Sequence, residues 1–381
     1  MLKFNAALLT LVLMPMPSWA LSYFEDIGWV SPNSQAVTQL QYPSLVEDIY
    51  RDNGEQLIWF DLQQSSQLEF QLELIQQANV SPFLSRQLKQ LRFYRNSNRW
   101  FEYDILATDA MITYMSYAEQ AKHMGKEWYF ETKLTQPLAP PTLSALDALH
   151  ASIESQQLGE LIEIYTPDSD NYQSLIRAYL HLANSHDEEL PKYHQDTQLK
   201  RVGDLLEARP ALLDRLEVVD VDLSNVKFNI GYYDGRLEKA VKQFQAMHGL
   251  KPDGVIGPKT IQWLNVANRE RLTMLAVNAE RERMWPQQRN TIIVVNVPSF
   301  EMEYWYGGES MFQSRVVVGR EARKTPVMST NLDSVILNPT WNVPWKIMVE
   351  DIIPHMQSDP NYLSRQNIDI RSEERRVGKE C

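Results

Sequence analysis

The chain has 381 residues, of which 44% are hydrophobic and 23% are charged. This length and composition are typical of a soluble globular protein with two or three domains, and they exclude a disordered chain or a coiled coil as the overall description. The formal net charge of −12 repels phosphate backbones and anionic lipid surfaces, so we expect no nucleic-acid partner.

The first 20 residues have the pattern of a secretory signal peptide. A positive charge at Lys3 precedes an apolar run from Ala6 to Met14, and small residues follow near Trp19. This pattern predicts export with cleavage after Ala20, and a short buried helix or an uncleaved anchor are the alternatives. No other stretch approaches the ~20 apolar residues that span a bilayer, so we expect no transmembrane helix beyond this segment.

The last eleven residues, 371–381, have almost no apolar content and no periodicity. This string resembles a translated sequencing-library adapter, and a solvated charged tail is the alternative. We therefore expect the natural sequence to be interrupted after Ile370 and to continue in the complete protein. The single cysteine of the chain, Cys381, lies in this string. Residues 21–370 thus cannot supply a disulfide, a thiolate zinc site or a cysteine nucleophile.

Helical patterns dominate the region from Leu21 to about Leu190. Leu68, Leu72 and Ile75 follow helical spacing, and a second helix is predicted over 104–117, with apolar residues Ile105, Leu106, Met111 and Ile112 buried. Further helices are predicted over 142–156 and 174–183. Three tryptophans of this region, Trp59, Trp100 and Trp128, are either core residues, which we favour, or platforms on which sugars stack.

A small three-helix module is predicted over residues 201–267. Its first helix is expected over 209–216. Its second helix has an apolar stripe, and the opposite face carries polar residues; the stripe is Leu237, Val241, Phe244 and His248, and the polar residues are Glu238, Lys239, Lys242 and Gln245.

Glycines and a proline punctuate the second half of this module. Gly249 is predicted to end the second helix as a left-handed cap. Asp253-Gly254 and then Gly257 are predicted to form tight turns, and Pro258 to open a short third helix.

The region after residue 290 reads as β structure. Thr291 to Val297 is a continuous apolar run, typical of a strand that is covered on both faces. A strand over 301–306 follows, with a turn at Gly307-Gly308, and two more strands are predicted over 313–318 and 334–337. The fold class expected from these patterns is α+β and multidomain.

The run from Leu237 to Leu264 resembles the peptidoglycan-binding module of cell-wall enzymes. That resemblance implies binding to the glycan and stem peptides of peptidoglycan. We expect most of its signature residues to be structural, and we favour a packing role over a ligand contact for His248. The residues assigned to this module are Phe244, His248, Gly249, Asp253, Gly254, Gly257 and Thr260.

Residues 291–370 resemble the start of the L,D-transpeptidase catalytic domain. Val317-Val318-Gly319 with Lys324-Thr325-Pro326 is similar to a pass through that family's second hairpin. The segment 338–344, with a helix over 349–356, is similar to a lid found in the large scaffold-bearing subclass. Residues 93–94 and 104–110 are similar to that subclass's scaffold domain.

The predicted organisation follows that subclass. It consists of a signal peptide (1–20), an α-rich scaffold domain (21–200), the peptidoglycan-binding module (201–267), a helical linker (268–290), an incomplete catalytic domain with the start of the lid (291–370) and the adapter-like tail (371–381).

The resemblance implies a cysteine thiolate, activated by a histidine, that carries crosslinking through a thioester. Both residues are expected beyond Ile370, in a His followed by Ser-x-Gly-Cys-x-Arg. Cys381 lacks the preceding Ser-x-Gly, and His355 is expected to be a surface residue of the lid. The family implies no cofactor, a periplasmic location and inhibition by carbapenem β-lactams.

Three other classes remain to be weighed. A zinc amidase would need metal-ligand spacing such as His-Glu-x-x-His, and a serine hydrolase would need Gly-x-Ser-x-Gly; neither pattern occurs. The third class, a noncatalytic peptidoglycan-binding or scaffold protein, remains the alternative function.

Overall fold

The computed structural model describes residues 40–184, 190–196, 198–285 and 290–370. The predicted signal peptide and the tail with Cys381 lie outside these residues. The chain divides into one compact unit through Thr325 and a second from Pro326, and each is described by itself.

Seven helices build the first hydrophobic core. They are α1 (Pro43–Asp52), α2 (Leu62–Gln77), α3 (Pro82–Asn96), α4 (Trp100–Phe130), α5 (Leu143–Glu154), α6 (Leu158–Ile164) and α7 (Asp170–Ala183). Leu68, Leu72 and Ile75 are buried as the helical spacing predicts. The predicted helix over 104–117 is the middle of the 31-residue α4, in which Leu106, Met111 and Ile112 are buried and Ile105 is partly buried.

Two buried aspartates of α4 hold the segments around α1 in place. The carboxylate of Asp104 accepts hydrogen bonds from the backbone N–H groups of Ile58 and Trp59. The carboxylate of Asp109 accepts from the N–H groups of Gln41 and Tyr42, just before α1 begins, at 2.9 and 2.8 Å. These donors have no partner within a helix, so the aspartates cap the chain from a neighbouring element. The scaffold-like motif over 104–110 therefore has a structural role.

A second hydrophobic core lies in the predicted small module. It is built by α8 (Arg209–Glu217), α9 (Gly235–Met247) and α10 (Pro258–Leu264), as the sequence predicts. Asp234 begins α9 by accepting hydrogen bonds from the N–H groups of Arg236 and Leu237. Such side-chain caps satisfy donors that the first helical turn leaves free.

The chain then returns to the first core. Helix α11 (Asn268–Arg281) lies in the segment predicted as a linker, and it buries Ala276 and Ala279 among the residues of α1–α7. A 3₁₀ turn over Glu282–Met284 continues it and carries Arg283, which is 6% exposed. The module is thus an insertion between two parts of one core, which no hydrophobic pattern in the sequence indicates.

Arg283 and Glu280 form a buried ion pair with a nitrogen–oxygen distance of 2.8 Å. Arg283 also donates to the carbonyl of Tyr165, the side chain of Gln71 and the hydroxyl of Tyr114. Burial alone would lower the pKa of Arg283, but the charge of Glu280 beside it raises that pKa well above its ordinary value.

A three-stranded antiparallel sheet ends the first unit. The strands β1 (Thr291–Asn296), β2 (Glu301–Tyr306) and β3 (Glu309–Arg315) pair in the order β1-β2-β3. Gly307 and Gly308 both have positive φ, as the two-residue hairpin turn of type I′ requires. This sheet, with the helices, confirms the predicted α+β multidomain class.

Two β-sheet predictions were wrong, and a third strand has other bounds than predicted. Strand β1 is not covered on both faces, since Ile293 is 44% and Val295 is 45% exposed. Strand β3 begins four residues before the predicted 313–318 and ends at Arg315. Residues 334–337 form no strand; their side chains are exposed, and no described strand pairs with them.

The second unit is described over residues 326–370. A continuous helical stretch runs through α12 (Trp345–Ile347), a π-helical turn (Met348–Ile352) and α13 (Ile353–Ser358), and α14 (Tyr362–Arg365) follows. The predicted helix over 349–356 lies within this stretch. Among the residues that the structure describes, no helix is both long and apolar enough to cross a membrane.

Candidate functional site

Phe244 is the centre of the module's core. It is fully buried on α9 together with Leu237 and Val241, which confirms the predicted stripe for these three residues. Burying an aromatic side chain of this size contributes about 1.5–3 kcal/mol, so Phe244 stabilises the module rather than contacting a ligand.

Gln245, which the sequence placed on the polar face, is buried instead. Its side-chain oxygen accepts the N–H of Gly254 at 2.8 Å, and its amide nitrogen donates to the carbonyl of Val255 at 3.0 Å and the hydroxyl of Thr260 at 3.2 Å. Asp253 accepts the N–H of Val255 at 2.9 Å and completes the turn. Asp253, Gly254 and Thr260 are therefore brought together around one buried amide.

Both the backbone conformation and the close packing at Gly254 require glycine. Its φ is +75°, and a Cβ at this position would lie 2.6 Å from Cγ of Glu238. Its carbonyl accepts the hydroxyl of Tyr233 at 2.6 Å, and Tyr233 is fully buried. The glycine lets the turn backbone pass close to α9.

The other two glycines differ from each other. Gly249 has φ +67° and follows α9, where its N–H and that of Leu250 donate to the carbonyls of Ala246 and Gln245. These are the bonds of a Schellman cap, as predicted. Gly257 has an extended φ of −116° and is the residue before α10, so the tight turn expected there was wrong.

His248 is half-buried between two aromatic rings. Its ring lies 4.1 Å from that of Phe244 and 5.1 Å from that of Trp263, measured between centroids. One ring nitrogen lies 2.8 Å from the carbonyl oxygen of Phe244, and the other lies 2.7 Å from Arg271. These contacts agree with the packing role that the sequence analysis favoured.

The predicted module residues thus make mostly internal contacts, and the exposed surface lies elsewhere. Two isolated β-bridges, Lys200 with Ile256 and Leu205 with Tyr232, join the segments before α8 to the turns of the module. Exposed apolar side chains line these segments, namely Leu199, Val202, Leu205 and Tyr232. No periodicity indicates this surface, because its residues belong to loops rather than to a helix or a strand.

Two segments are similar to the catalytic domain, and Gly319 of the first contacts Thr325 of the second within the first unit. The N–H of Gly319 donates to the hydroxyl of Thr325 at 2.7 Å. A Cβ on Gly319 would lie 1.9 Å from the carbonyl oxygen of Arg323, so only glycine permits this close approach. In the second unit, His355 is exposed and stacks on Tyr362 with ring centroids 5.1 Å apart. Cys381 lies outside the described residues.

The first unit contains a separate open cavity of about 670 Å³ between the scaffold helices and the strand β2. Tryptophan rings and charged groups of both signs line it, including Glu119, Lys122, Asp168, Glu282, Trp285 and Trp305. The two oxygens of Glu282 accept hydrogen bonds from Ser169 and Asn171 at 2.8 and 2.5 Å. Its residues come from separate segments of the chain, so no sequence pattern predicts it.

The three tryptophans considered as sugar platforms have different environments. Trp59 is buried and donates to Thr108, and Trp128 is buried and stacks on Tyr117 at 5.6 Å between centroids. Both are core residues. Trp100 is 44% exposed, because it is the first residue of α4.

Comparisons with known proteins agree with the sequence resemblance. Residues 44–178 match the family described as "Scaffold domain", residues 213–264 match "Putative peptidoglycan binding domain", and residues 290–379 match "L,D-transpeptidase catalytic domain". A protein of Haemophilus influenzae named "Putative L,D-transpeptidase" is 44% identical over 96 residues, which are 25% of this chain and 19% of that protein. The chain thus spans about a fifth of the length of this relative. The resemblance is confirmed at the level of the three domains and their order.

Proposed function

We propose that this chain, which carries the domains of a scaffold-bearing L,D-transpeptidase, comes from an enzyme that crosslinks the stem peptides of peptidoglycan. The observation that carries the proposal is the order of the three matches, in which a wall-binding module precedes the catalytic domain. A module with an affinity for the wall concentrates the enzyme on its polymeric substrate.

The chemistry that we propose is cysteine acyl transfer. A thiolate attacks the stem-peptide carbonyl, and the bond to the terminal D-residue breaks as its amine leaves with a proton. The thioester that results is attacked by an amine of a neighbouring stem, which forms the crosslink and releases the thiolate. Backbone N–H groups stabilise the oxyanion in each step, and a histidine accepts and returns the proton.

The nucleophile of this reaction is not among residues 21–370, which contain no cysteine. We therefore propose that the sequence is a fragment, inactive by itself, and that the His and Ser-x-Gly-Cys-x-Arg motif follows Ile370 in the complete protein. We further propose that the complete enzyme works in the periplasm after export by residues 1–20, and that carbapenems acylate its cysteine.

We assign wall contact to the exposed apolar surface of the module, because most of its signature residues are used by the fold. Tyr232 is 58% exposed and offers a flat ring to a sugar or peptide. The Tyr232→Ala chain should sediment less with purified sacculi, whereas Met247→Ala, which removes another exposed apolar side chain, should not. Equal sedimentation of both variants and the unaltered chain would contradict this assignment.

The second candidate function is a noncatalytic wall-binding protein. It is favoured by one observation, namely that the single cysteine follows Gly378-Lys379-Glu380 and not Ser-x-Gly. Such a protein would bind sacculi as well as an enzyme does, so binding alone cannot separate the two functions.

An activity assay of the complete gene product distinguishes the transpeptidase from the noncatalytic protein. The product is incubated with tetrapeptide muropeptides, and crosslinked dimers that have lost one terminal D-residue are measured by mass spectrometry. The proposal expects dimers from the unaltered enzyme, none from its Cys→Ala variant, and a carbapenem adduct on the unaltered enzyme alone. Dimers from the Cys→Ala variant would overturn the thioester mechanism, and their absence from both proteins would favour the noncatalytic function.

A further inference from the structure

His248 lies where the small module meets the first core. Its ring belongs to the end of α9 and is enclosed by Phe244 of the same helix, Trp263 of α10 and Arg271 of α11. Helix α11 buries Ala276 and Ala279 in the first core. The imidazole therefore touches both parts of the unit.

The hydrogen bonds of the ring assign its tautomer. The carbonyl oxygen of Phe244 can only accept, so Nδ1 of His248, 2.8 Å away, carries the proton. The lone pair on Nε2 then accepts from Nη1 of Arg271 at 2.7 Å. A guanidinium group can only donate, so this second contact requires a neutral imidazole.

The side chain of Arg271 is held in turn by backbone carbonyls at the C-terminal end of α10 and just beyond it. It is 7% exposed, and it donates to the carbonyls of Trp263 and Val266, which follow from the last turn of α10. A cation favourably satisfies such terminal carbonyls. On the scaffold side, Gln77 of α2 donates to the hydroxyl of Thr273, two residues further along α11.

We propose that the contact between Arg271 and neutral His248 is a pH-sensitive latch that fixes the orientation of the small module relative to the scaffold. His248 is then a positioning residue and not a ligand of the wall. The inference is independent of the proposed function, since it concerns the position of the module whether or not the complete chain is an enzyme.

Protonation of His248 breaks the latch for an electrostatic reason. The new Nε2–H would point at the guanidinium of Arg271, so an accepted hydrogen bond becomes a contact between two cations. The ring contacts the guanidinium of Arg271 on α11 and the aromatic rings of Phe244 on α9 and Trp263 on α10.

The direction of the pH effect follows from the pKa of His248. Burial, with a further contribution from Arg271, lowers this pKa below its ordinary value of 6.5, against the hydrogen bond to Phe244, which raises it. The latched state thus binds the proton more weakly than the open state does. Its stability is fully present above pH 6.5 and is lost as the pH falls through the lowered pKa.

The test measures the distance between module and scaffold by single-molecule energy transfer. Dyes are attached to cysteines at the exposed positions Lys89 of α3 and Lys259 of α10, with Cys381 replaced by serine. The labelled chain that keeps His248 and Arg271 should show one narrow distribution of transfer efficiency at pH 7.5. At pH 5 the distribution should be broader and shifted, and the midpoint of this change should lie below pH 6.5. An identical distribution at both pH values would overturn the proposal.

Two variants separate the latch from a merely structural role. His248→Gln keeps a neutral acceptor for Arg271 but cannot be protonated, so its distribution should stay narrow at pH 5. Arg271→Gln removes the second cation. The distribution of transfer efficiency in this variant should therefore be the same at pH 7.5 and pH 5, whatever its width at pH 7.5. A step that persists unchanged in both variants would show that another group titrates, and the exposed His123→Gln serves as the matched control.

Discussion

At the residue scale, the amide of Gln245 organises the turn that carries Asp253 and Gly254. Residue type suggested a solvated position, but the residue lies four positions after Val241 and so lies beside the apolar stripe. Whether Gln245 is solvated or buried depends on the turn over 253–257 and the first residues of α10, which contact this side of α9. That loop contact is nonlocal, so the periodicity of α9 could not predict it.

Gly254 and Gly249 allow a matched test of backbone and steric effects. Gly249→Ala should destabilise α9 by about 1 kcal/mol, because alanine adopts positive φ at roughly that cost. Gly254→Ala should cost more, about 2–3 kcal/mol, because its Cβ would also displace Glu238, which pairs with Lys242. The free energy of opening is measured by hydrogen exchange of the α9 amides. Equal costs at the two sites would contradict the close approach at Gly254.

Asp109 should make the stability of the scaffold depend on pH. Burial raises its pKa to about 6, although hydrogen bonds from Gln41, Tyr42 and Gln87 lower it. The folded state therefore holds a proton that the unfolded state releases above pH 4, so stability falls as the pH rises from about 4 to about 6. The effect is on the order of 2–3 kcal/mol.

Urea denaturation at pH 4.5 and pH 7 checks this prediction. Asp109→Asn should lose this part of the pH dependence, whatever its overall stability, while Asn at the exposed Asp147 should retain it. Burial also raises the pKa of Asp104. Its contribution to the pH dependence of stability is the same in the unaltered chain and in the two variants. An unchanged pH dependence in Asp109→Asn would contradict the assignment.

At the element scale, α11 completes a core to which it is not adjacent in sequence. Glu280 and Arg283 enter that core, where the hydroxyl of Tyr117 donates to Glu280 at 2.7 Å. The sequence analysis predicted a helical linker over 268–290. The charges are instead paired and buried, which sequence reasoning by residue type does not detect.

Breaking this ion pair should be costly. Arg283→Met should destabilise the first core by about 3–5 kcal/mol, because Glu280 would remain buried and unpaired, and Glu280→Leu combined with Arg283→Met should recover most of the loss. Arg281→Met is the control, since Arg281 stacks on Phe130 nearby and forms no buried ion pair with another described residue. The measurement is thermal unfolding of the whole chain. A cost for Arg283→Met that does not exceed that of the control would refute the role of the pair.

The strands show where sequence patterns succeed and fail at this scale. The alternation and the Gly307-Gly308 turn predicted β2 and its hairpin, because both signals are local. Coverage of β1 depends on what packs against the sheet, and no local pattern contains that information. The same holds for residues 334–337, which need a partner strand before they can form one.

At the scale of the whole molecule, the order of domains was readable from the sequence, but their connection was not. The run from Leu237 to Leu264 resembles the binding module without a gap, and the family match over 213–264 agrees with it. The return of α11 to the scaffold core joins residues about two hundred positions apart, such as Gln77 and Thr273. This connection places the module and the scaffold in one compact unit.

The central claim is that the chain is part of a cysteine L,D-transpeptidase. The most direct test is to sequence the genomic DNA in one long amplicon across and beyond codon 370. The account predicts a reading frame that leaves the present sequence after Ile370 and continues through a His and then Ser-x-Gly-Cys-x-Arg. A gene that instead encodes residues 371–381 and then stops would contradict it, and the protein would be a wall-binding remnant without the Ser-x-Gly-Cys-x-Arg motif.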